Sequence, residues 1–164
     1  MARGPIDKRA VITKIRAVLA KEIDVLRASA ASAREGATHE QAKPEGDKDT
    51  RAIEASYLAG AQAARLRVLE AADKRLQFQE LREFKAGDAI APGALIDIEI
   101  DGKSSRYFMA EAGGGTKIEH DGVEISVLTP EAPLAQSIMG KKTGDTFERT
   151  VRGEALEYEI VGVA

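Results

Sequence analysis

The amino-acid sequence predicts an α+β protein: an N-terminal antiparallel helical hairpin of coiled-coil type, followed by a small antiparallel β domain with one short helix. Three observations predict it. Apolar residues recur every three or four positions in the first half, alternation with a period of two replaces that spacing in the second half, and the composition changes at residues 84–88. We therefore divide the chain into a helical hairpin at residues 1–84 and a β domain at residues 85–164.

The first half contains two alanine-rich segments, each with one apolar stripe. The first stripe comprises Ile12, Ile15, Leu19, Ile23, Leu26, Ala30 and Ala33, and the second comprises Ile53, Tyr57, Ala61, Ala64, Val68 and Ala71. We expect the stripes to cover each other, because no third long amphipathic segment is present. With a rise of ~1.5 Å per residue, an arm of about 30 residues extends roughly 45 Å. The alternative is a bundle in which the stripes pack on more helices or on a second copy.

The interruption between these segments predicts the tip of the hairpin, near residues 36–50. Four features disfavour helix there: Gly36, the polar run at residues 38–41, Pro44 and Gly46. The tip also carries three carboxylates: Glu45, Asp47 and Asp49. Carboxylates at the end of a long hairpin lie far from the rest of the protein and can be presented to a partner. In the alternative interpretation, Asp49 or Thr50 only caps the second helix.

Alternation in the second half predicts a mostly antiparallel sheet. Residues 95–110 predict a hairpin that turns at residues 101–103, and further strands are predicted at residues 123–128, 146–151 and 156–161. A short helix is expected from Pro133 to Met139, started by proline and stopped by Gly140. The run Gly113-Gly114-Gly115 predicts a flexible turn, because the ending and the following helix of a phosphate-binding loop are missing.

Charge and composition restrict the class of function. Residues 1–84 hold sixteen Lys and Arg against thirteen Asp and Glu, whereas residues 85–164 hold eight against fourteen. Neither half has the dense basic stripe of a protein that binds duplex DNA alone, so a protein partner is expected. Without cysteine the chain forms no disulfide or thiolate metal site, and His39 and His120 lack further ligands spaced for zinc. With no signal-like or membrane-spanning run, we expect a cytoplasmic protein.

Two runs in the second half resemble a known family. Residues 132–145, Ala-Pro-Leu-Ala-Gln-Ser-Ile-Met-Gly-Lys-Lys-Thr-Gly-Asp, and the later Glu157-Tyr158-Glu159-Ile160 are similar to the C-terminal domain of the bacterial Gre (GreA/GreB-like) transcript-cleavage factors. In that family this domain has an FKBP-like fold and follows a helical hairpin. The resemblance implies a transcription elongation regulator whose hairpin enters the secondary channel of RNA polymerase while the C-terminal domain docks on the channel rim.

The resemblance also implies a role for the tip carboxylates. In Gre factors a pair of tip acids helps to hold a second Mg²⁺ at the polymerase active centre, and Mg²⁺ often takes only one or two carboxylates. Asp47 and Asp49, aided by Glu45, would then be metal ligands only in the complex with polymerase. The chain itself would hold no stable cofactor and would not be an enzyme. A monomer is expected, with only indirect contact to the nascent RNA and DNA.

The sequence departs from the family pattern at both expected sites. Typical tips have acids three residues apart, but Thr50 occupies the second acidic position when the chain is aligned on Asp47. In the docking segment Ala132 replaces a usual serine and Gln136 replaces a usual basic residue. The expected polymerase contacts that remain are Pro133, Leu134 and Ala135, with Leu134 as the main anchor. Helix initiation and packing onto the sheet is the alternative role of these three residues.

Three functions remain open. The first is stimulation of intrinsic transcript cleavage in arrested elongation complexes, with chemistry performed by the polymerase. The second is occupation of the same channel by a factor that inhibits or modulates polymerase without stimulating cleavage. The third, prolyl isomerisation or chaperone activity, is disfavoured because such a pocket needs clustered aromatics and this half offers only Tyr107, Phe108, Phe147 and Tyr158.

Overall fold

In a computed structural model, two long helices precede a six-stranded sheet with one short helix. The structure describes residues 5–40 and 48–164, with side chains at residues 5–36 and 50–164. The helices are α1 (Lys8–Glu40), α2 (Lys48–Gln77) and α3 (Pro133–Ile138). The strands are β1 (Leu95–Ile100), β2 (Lys103–Met109), β3 (Lys117–His120), β4 (Val123–Leu128), β5 (Thr146–Val151) and β6 (Glu154–Val163). This order of elements confirms the predicted fold class. Within the described part of the chain, neither long helix is apolar enough to cross a membrane.

Helix α1 is longer than the sequence suggested. It begins after Asp7, whose Oδ1 accepts hydrogen bonds from the backbone N–H groups of Arg9 (2.9 Å) and Ala10 (3.3 Å). It then continues through Gly36 to Glu40, so the prediction that Gly36 and the following polar residues interrupt the helix is wrong. An exposed glycine inside a helix costs only ~1 kcal/mol relative to alanine, and this one is flanked by good helix formers.

Helices α1 and α2 run antiparallel, and polar pairs mark the line of contact between them. Near the sheet, Arg16 donates to Asp73 from Nε at 2.8 Å and from Nη2 at 3.2 Å. Farther out, the amide Nε2 of Gln62 donates to the hydroxyl of Ser29 at 3.2 Å. Because residue numbers rise along α1 while they fall along α2, the two helices form the predicted hairpin.

The face that α2 packs against α1 differs from the predicted one. In α1 the predicted stripe is buried at Ile12, Ile15, Leu19 and Ile23. In α2 the predicted stripe faces solvent, with Ile53, Tyr57 and Val68 exposed to 57%, 79% and 58%. Its packed face instead carries Leu66, Leu69 and Leu76. The prediction was wrong because alanine and other apolar residues cover two opposite faces of α2, and spacing alone does not identify the packed one.

All six strands form one sheet in the order β3-β4-β2-β1-β6-β5. Neighbouring strands are antiparallel except β2 and β4, which pair in parallel. The strands predicted at residues 95–110, 123–128, 146–151 and 156–161 are confirmed as β1 with β2, β4, β5 and β6.

Strand β3 was not predicted from the sequence. Its four residues alternate between buried Ile118 and His120 and exposed Lys117 and Glu119. A two-residue turn at residues 121–122, with φ values of 52° and 74°, connects it to β4. The missed signal was therefore a hairpin turn after a very short alternating run.

The sheet is covered on both faces. One core cluster joins the base of the hairpin to the sheet through Ile15, Leu19, Leu76, Leu95 and Phe108, among others. The second cluster lies on the opposite face and joins α3 to the sheet through residues that include Ile96, Met109, Ala135, Ile138 and Ile160. The base of the hairpin is thus attached to the β domain by a continuous apolar core.

The outer part of the hairpin extends beyond this core. No residue is buried at positions 27–36 of α1 or at positions 50–65 of α2. The helical backbone from residue 27 to residue 40 adds roughly 20 Å at ~1.5 Å per residue. The two helices therefore project from the β domain, as the sequence predicted.

Candidate functional site

The predicted tip carboxylates fall, in chain order, at the connection between α1 and α2. Glu45 and Asp47 lie outside the described residues. Asp49 lies in the first turn of α2, which begins at Lys48, but its side chain is also outside the described set. In chain order, Glu45 and Asp47 belong to the connection between Glu40 and Lys48, and Asp49 follows it in α2. Their mutual geometry and their binding of metal stay predictions.

The outward face of α2 is an exposed apolar surface that the sequence interpretation placed in the core. It includes the large side chains of Ile53, Tyr57 and Val68, with small residues between them. Ile53, Ser56, Tyr57, Gly60 and Ala61 line a shallow groove on this face. Exposed apolar patches of this kind are common at protein–protein contacts. The apolar spacing predicted correctly that these residues share one face of α2. The expectation that this face packs against α1 was wrong.

The predicted docking segment forms α3. Ala132 precedes it in extended conformation, without a side-chain hydrogen bond to the helix, and Pro133 begins the helix. Pro133 is exposed, Leu134 is half-buried against the second core cluster, and Ala135 is completely buried. Pro133 and part of Leu134 are therefore available to a partner. The methyl group of Ala135 is buried and packs only against the core.

Two backbone hydrogen bonds fix the position of α3 relative to the start of the β domain. The N–H of Ile90 donates to the carbonyl of Lys141 at 2.8 Å, and the N–H of Gly140 donates to the carbonyl of Ile90 at 3.0 Å. Ile90 is itself buried in the second core cluster. The exposed side of α3 is thus held on a rigid part of the domain.

A buried glutamine connects the segment after α2 to the sheet. The side chain of Gln79 donates from Nε2 to the carbonyl of Met109 at 3.3 Å. Its Oε1 accepts a hydrogen bond from the backbone N–H of Glu111 at 2.9 Å. Both polar ends of a buried amide are satisfied, so Gln79 fixes the hairpin to the β domain. No sequence pattern marked this residue, because its partners are backbone groups 30 and 32 positions away.

Four glutamates lie together on the part of one sheet face that is not covered by either core cluster. Glu99 lies directly opposite Glu159 on β1 and β6, and Glu148 lies directly opposite Glu157 on β5 and β6. All four side chains share a face, because residues 157 and 159 lie on the same side of β6. Like charges directly opposite each other in a sheet are unfavourable. This arrangement locates much of the negative charge counted in the second half of the sequence.

The aromatic side chains of the β domain lie on both faces of the sheet. Phe108 is buried in the cluster beneath the hairpin, and Tyr158 is buried in the cluster beneath α3. Phe147 stacks on Tyr158 with ring centroids 5.0 Å apart. Phe108 is therefore separated from the other three, whereas Tyr107 and Phe147 pack in the same cluster as Tyr158.

Histidine and carboxylate side chains form no evident metal centre in the described part of the chain. Within that part, no group of three or more His, Asp or Glu is positioned to hold a metal ion. His120 is buried at the end of β3, and its Nε2 lies 3.4 Å from Oδ2 of Asp121. The side chain of His39 is outside the described set.

The match to a family model decides the assignment of the second half. Residues 85–164 match the family described as "Transcription elongation factor, GreA/GreB, C-term". This half of the chain belongs to the GreA/GreB family. The match begins directly after the segment that follows α2 and includes all six strands and α3 of the GreA/GreB-type domain.

Comparisons of the whole chain found distant similarity to solved transcription factors. Gfh1 of Thermus aquaticus is 16% identical, with 88% of this chain and 90% of that chain covered and a TM-score of 0.39. The GreA factor homolog 1 (Gfh1) of Thermus thermophilus is 13% identical, with 91% and 94% covered and a TM-score of 0.38. The transcription elongation factor GreA/GreB from Nitrosomonas europaea is 16% identical, with 58% and 78% covered and a TM-score of 0.34. A search of curated proteins found no match.

Within the GreA/GreB-type domain, the two departures noted in the sequence have a structural meaning. Ala132 offers no side-chain acceptor to the first turn of α3, a position where serine would provide one. Gln136 is exposed on α3, so a basic residue there would reach solvent or a partner, and glutamine removes that charge. The exposed surface at α3 is therefore less polar and less positive than the family pattern implies.

Proposed function

We propose that this protein is a transcription elongation regulator that binds RNA polymerase and places its helical hairpin in the secondary channel. The observation that supports the proposal is the attachment of a GreA/GreB-type domain to a hairpin whose outer part extends beyond the core. The domain would dock on the channel rim through the exposed side of α3. The chain itself would act as a regulator, with the chemistry performed by polymerase.

Exposed apolar residues on the hairpin support a protein partner. Ile53, Tyr57 and Val68 are large, exposed and aligned on the side of α2 that faces away from α1. Burial of such side chains in a partner is a common source of binding free energy, and tyrosine is among the residues that contribute most. We therefore assign this face to contact with the wall of the channel.

The tip carboxylates are proposed to assist transcript cleavage. Carboxylate oxygens are suitable donors for Mg²⁺, which is usually bound through one or two protein carboxylates together with water and phosphate. Mg²⁺ at such a site supplies activation of the attacking water and stabilisation of the displaced oxygen. Asp47 and Asp49 would contribute oxygen ligands, with Glu45 beside them.

Binding can be tested with purified core polymerase. We expect the wild-type chain to bind, and Leu134→Asp to weaken the affinity by about tenfold or more if Leu134 is a central contact. Since Leu134 is half-buried, the folding of this variant is monitored by circular dichroism. Pro133 is exposed, so Pro133→Glu tests the same surface without disturbing the core. Unchanged affinity in both variants would exclude α3 from the interface.

The role of the tip can be tested with stalled elongation complexes. Wild-type protein should shorten the transcript, whereas Asp47→Ala and Asp49→Ala should reduce the rate of cleavage strongly. Glu54→Ala is a suitable control, because Glu54 is an exposed acid farther along α2. Equal cleavage with all four proteins would remove the carboxylates from the mechanism.

The second candidate function is inhibition or modulation of polymerase without cleavage. It is favoured by one observation: Thr50 occupies the position of the second tip acid. A lone carboxylate would hold a shared metal less well than a pair. Binding of the wild-type chain without transcript shortening, together with slower RNA synthesis, would assign the protein to this class.

A further inference from the structure

The outward face of α2 is apolar and open along the described length of the helix. Ile53, Tyr57 and Val68 lie on it at helical spacing, and all three are exposed. Phe78, just past the end of α2, continues the same stripe and is also exposed. The leucines that pack on α1 lie on the opposite side of α2. Within the described residues, neither α1 nor the β domain covers this face.

The middle of this face carries only small residues. Gly60, Ala61 and Ala64 lie there in exposed positions, and a Cβ added to Gly60 would meet no other atom within 4 Å. A second helix can approach such a segment closely, because the side chains at the contact set the distance between helix axes. The face therefore fits a helix that presents a small residue to Tyr57 and a large residue to Ala64.

We propose that this face of α2 binds the same face of a second copy of the chain, with the two α2 helices antiparallel. A two-fold axis perpendicular to the helices, between Gly60 and Ala61, matches the sequence to itself. The residues that it places opposite each other across the two copies are Gly60 with Ala61, Tyr57 with Ala64 and Ile53 with Val68. The contact is the same on both copies and is therefore closed, so it produces a dimer and not a filament.

The charges beside this face favour the antiparallel arrangement. Glu54 and Arg65 lie along the same edge of the face, on either side of the proposed axis. They are eleven positions apart (54 to 65), which is roughly 16 Å along the helix, so they cannot pair within one chain. In the antiparallel dimer, Glu54 of each copy lies beside Arg65 of the other. A parallel dimer would instead place like charges together, which is unfavourable.

The dimer is expected to be weak. The face from residue 53 to residue 68 is roughly 20–25 Å long and about 10 Å wide, so the contact buries less than the ~1,000 Å² of a stable interface. We expect a dissociation constant between roughly 10 µM and 1 mM, with exchange between this dimer and the expected monomer. If the same face contacts the channel wall, polymerase and the second copy exclude each other. That consequence rests on the proposed function, whereas the pairing of two copies does not.

The association is tested by sedimentation equilibrium of the full-length chain from about 10 µM to about 1 mM. We expect the mean mass to rise from the 17.5 kDa monomer toward the dimer as concentration increases. Tyr57→Glu should weaken the association at least tenfold, because it places a charge in the apolar contact. Val25→Glu is the matched control, since Val25 is also exposed but lies on α1. A monomer at every concentration, an unchanged Tyr57→Glu variant, or equal loss in both variants overturns the proposal. Circular dichroism verifies that the variants are folded.

Single introduced cysteines test the register, because the chain contains no cysteine. Ala61→Cys lies beside the axis, where the two copies bring their thiols close enough for a disulfide. Ala71→Cys lies on the same exposed face, but antiparallel pairing separates its two copies by roughly 30 Å along the helices. Under mild oxidation we expect a disulfide-linked dimer with Ala61→Cys and at least tenfold less with Ala71→Cys. Equal yields at the two positions, or no linked dimer with Ala61→Cys, overturns the antiparallel pairing.

Discussion

Asp97 and Arg106 face each other across β1 and β2 and share two hydrogen bonds. Nε of Arg106 donates to Oδ1 at 2.6 Å, and Nη2 donates to Oδ2 at 2.7 Å. The side chain of Arg106 is only 7% exposed, whereas that of Asp97 is 36% exposed. The hydrogen bonds with Asp97 raise the pKa of Arg106 above its usual value, so the guanidinium remains charged inside the sheet. The GreA/GreB-type domain therefore depends on Asp97 to compensate a buried cation.

Removal of this carboxylate should destabilise the domain. Breaking a buried ion pair from one side costs about 3–5 kcal/mol, and the partial exposure of Asp97 reduces the expected loss to about 2–3 kcal/mol for Asp97→Ala. Urea unfolding monitored by circular dichroism measures the change. The control is Glu124→Ala, which breaks an exposed pair with Lys117 (3.0 Å) and should cost at most ~1 kcal/mol. Similar losses in both variants would contradict the role assigned to Asp97.

Gly113 allows the loop after β2 to approach the base of the hairpin. Its φ is +79°, and an added Cβ would lie 3.3 Å from Cγ2 of Ile15 and 3.4 Å from Cδ1 of Leu76. We expect Gly113→Ala to lower the free energy of unfolding by about 2–3 kcal/mol, from backbone strain together with crowding. Gly115→Ala has similar strain at φ +85° but open space around it, so about 1–2 kcal/mol is expected. A larger loss in Gly115→Ala than in Gly113→Ala would contradict this account.

The fold could be predicted largely from local sequence patterns. Helical spacing located α1 and α2, and alternation located five of the six strands. The parallel pairing of β2 with β4 and the four-residue β3 depend on contacts between distant residues, which local patterns do not encode. The packed face of α2 was missed for a related reason: both faces carry large apolar residues, and local spacing does not distinguish the leucines that contact α1 from the exposed Ile53 and Tyr57.

The two apolar faces of α2 should respond differently to truncation. Leu69 is buried between the helices, and Leu69→Ala should destabilise the chain by about 2–4 kcal/mol. The neighbouring Val68 is exposed, and Val68→Ala should change stability by less than ~0.5 kcal/mol. Thermal or urea unfolding separates the two outcomes. If Val68 contacts polymerase, Val68→Ala weakens binding while stability is retained, and equal destabilisation by both changes would contradict the observed packing.

The candidate site was predictable in part. The sequence indicated the docking segment, and the structure shows that Pro133 and Leu134 lie at its surface while Ala135 belongs to the core. The acids Glu45, Asp47 and Asp49 could be assigned to the tip from chain order alone. The hydrogen bonds of Gln79 and of Lys8 had no sequence signal, since each joins the segment after α2 to a part of the chain 30 or more positions away.

The junction between the start of α1 and the segment after α2, where Nζ of Lys8 donates to the carbonyl of Arg82 at 2.8 Å, predicts a specific pH dependence of stability. In the unfolded chain Lys8 keeps its proton until about pH 10.5, whereas in the folded chain its pKa is lowered by burial and then by Arg82 to about 8. Between these values the unfolded state binds more protons, so the contribution of Lys8 to stability rises with pH. The stability of wild type minus that of Lys8→Met should therefore be greater at pH 9.5 than at pH 7.5, as measured by urea unfolding. Lys14→Met provides the comparison on the same helix, outside the junction. A difference for Lys8 that stays constant or falls across this range would show that the folded chain holds the proton as tightly as the unfolded one.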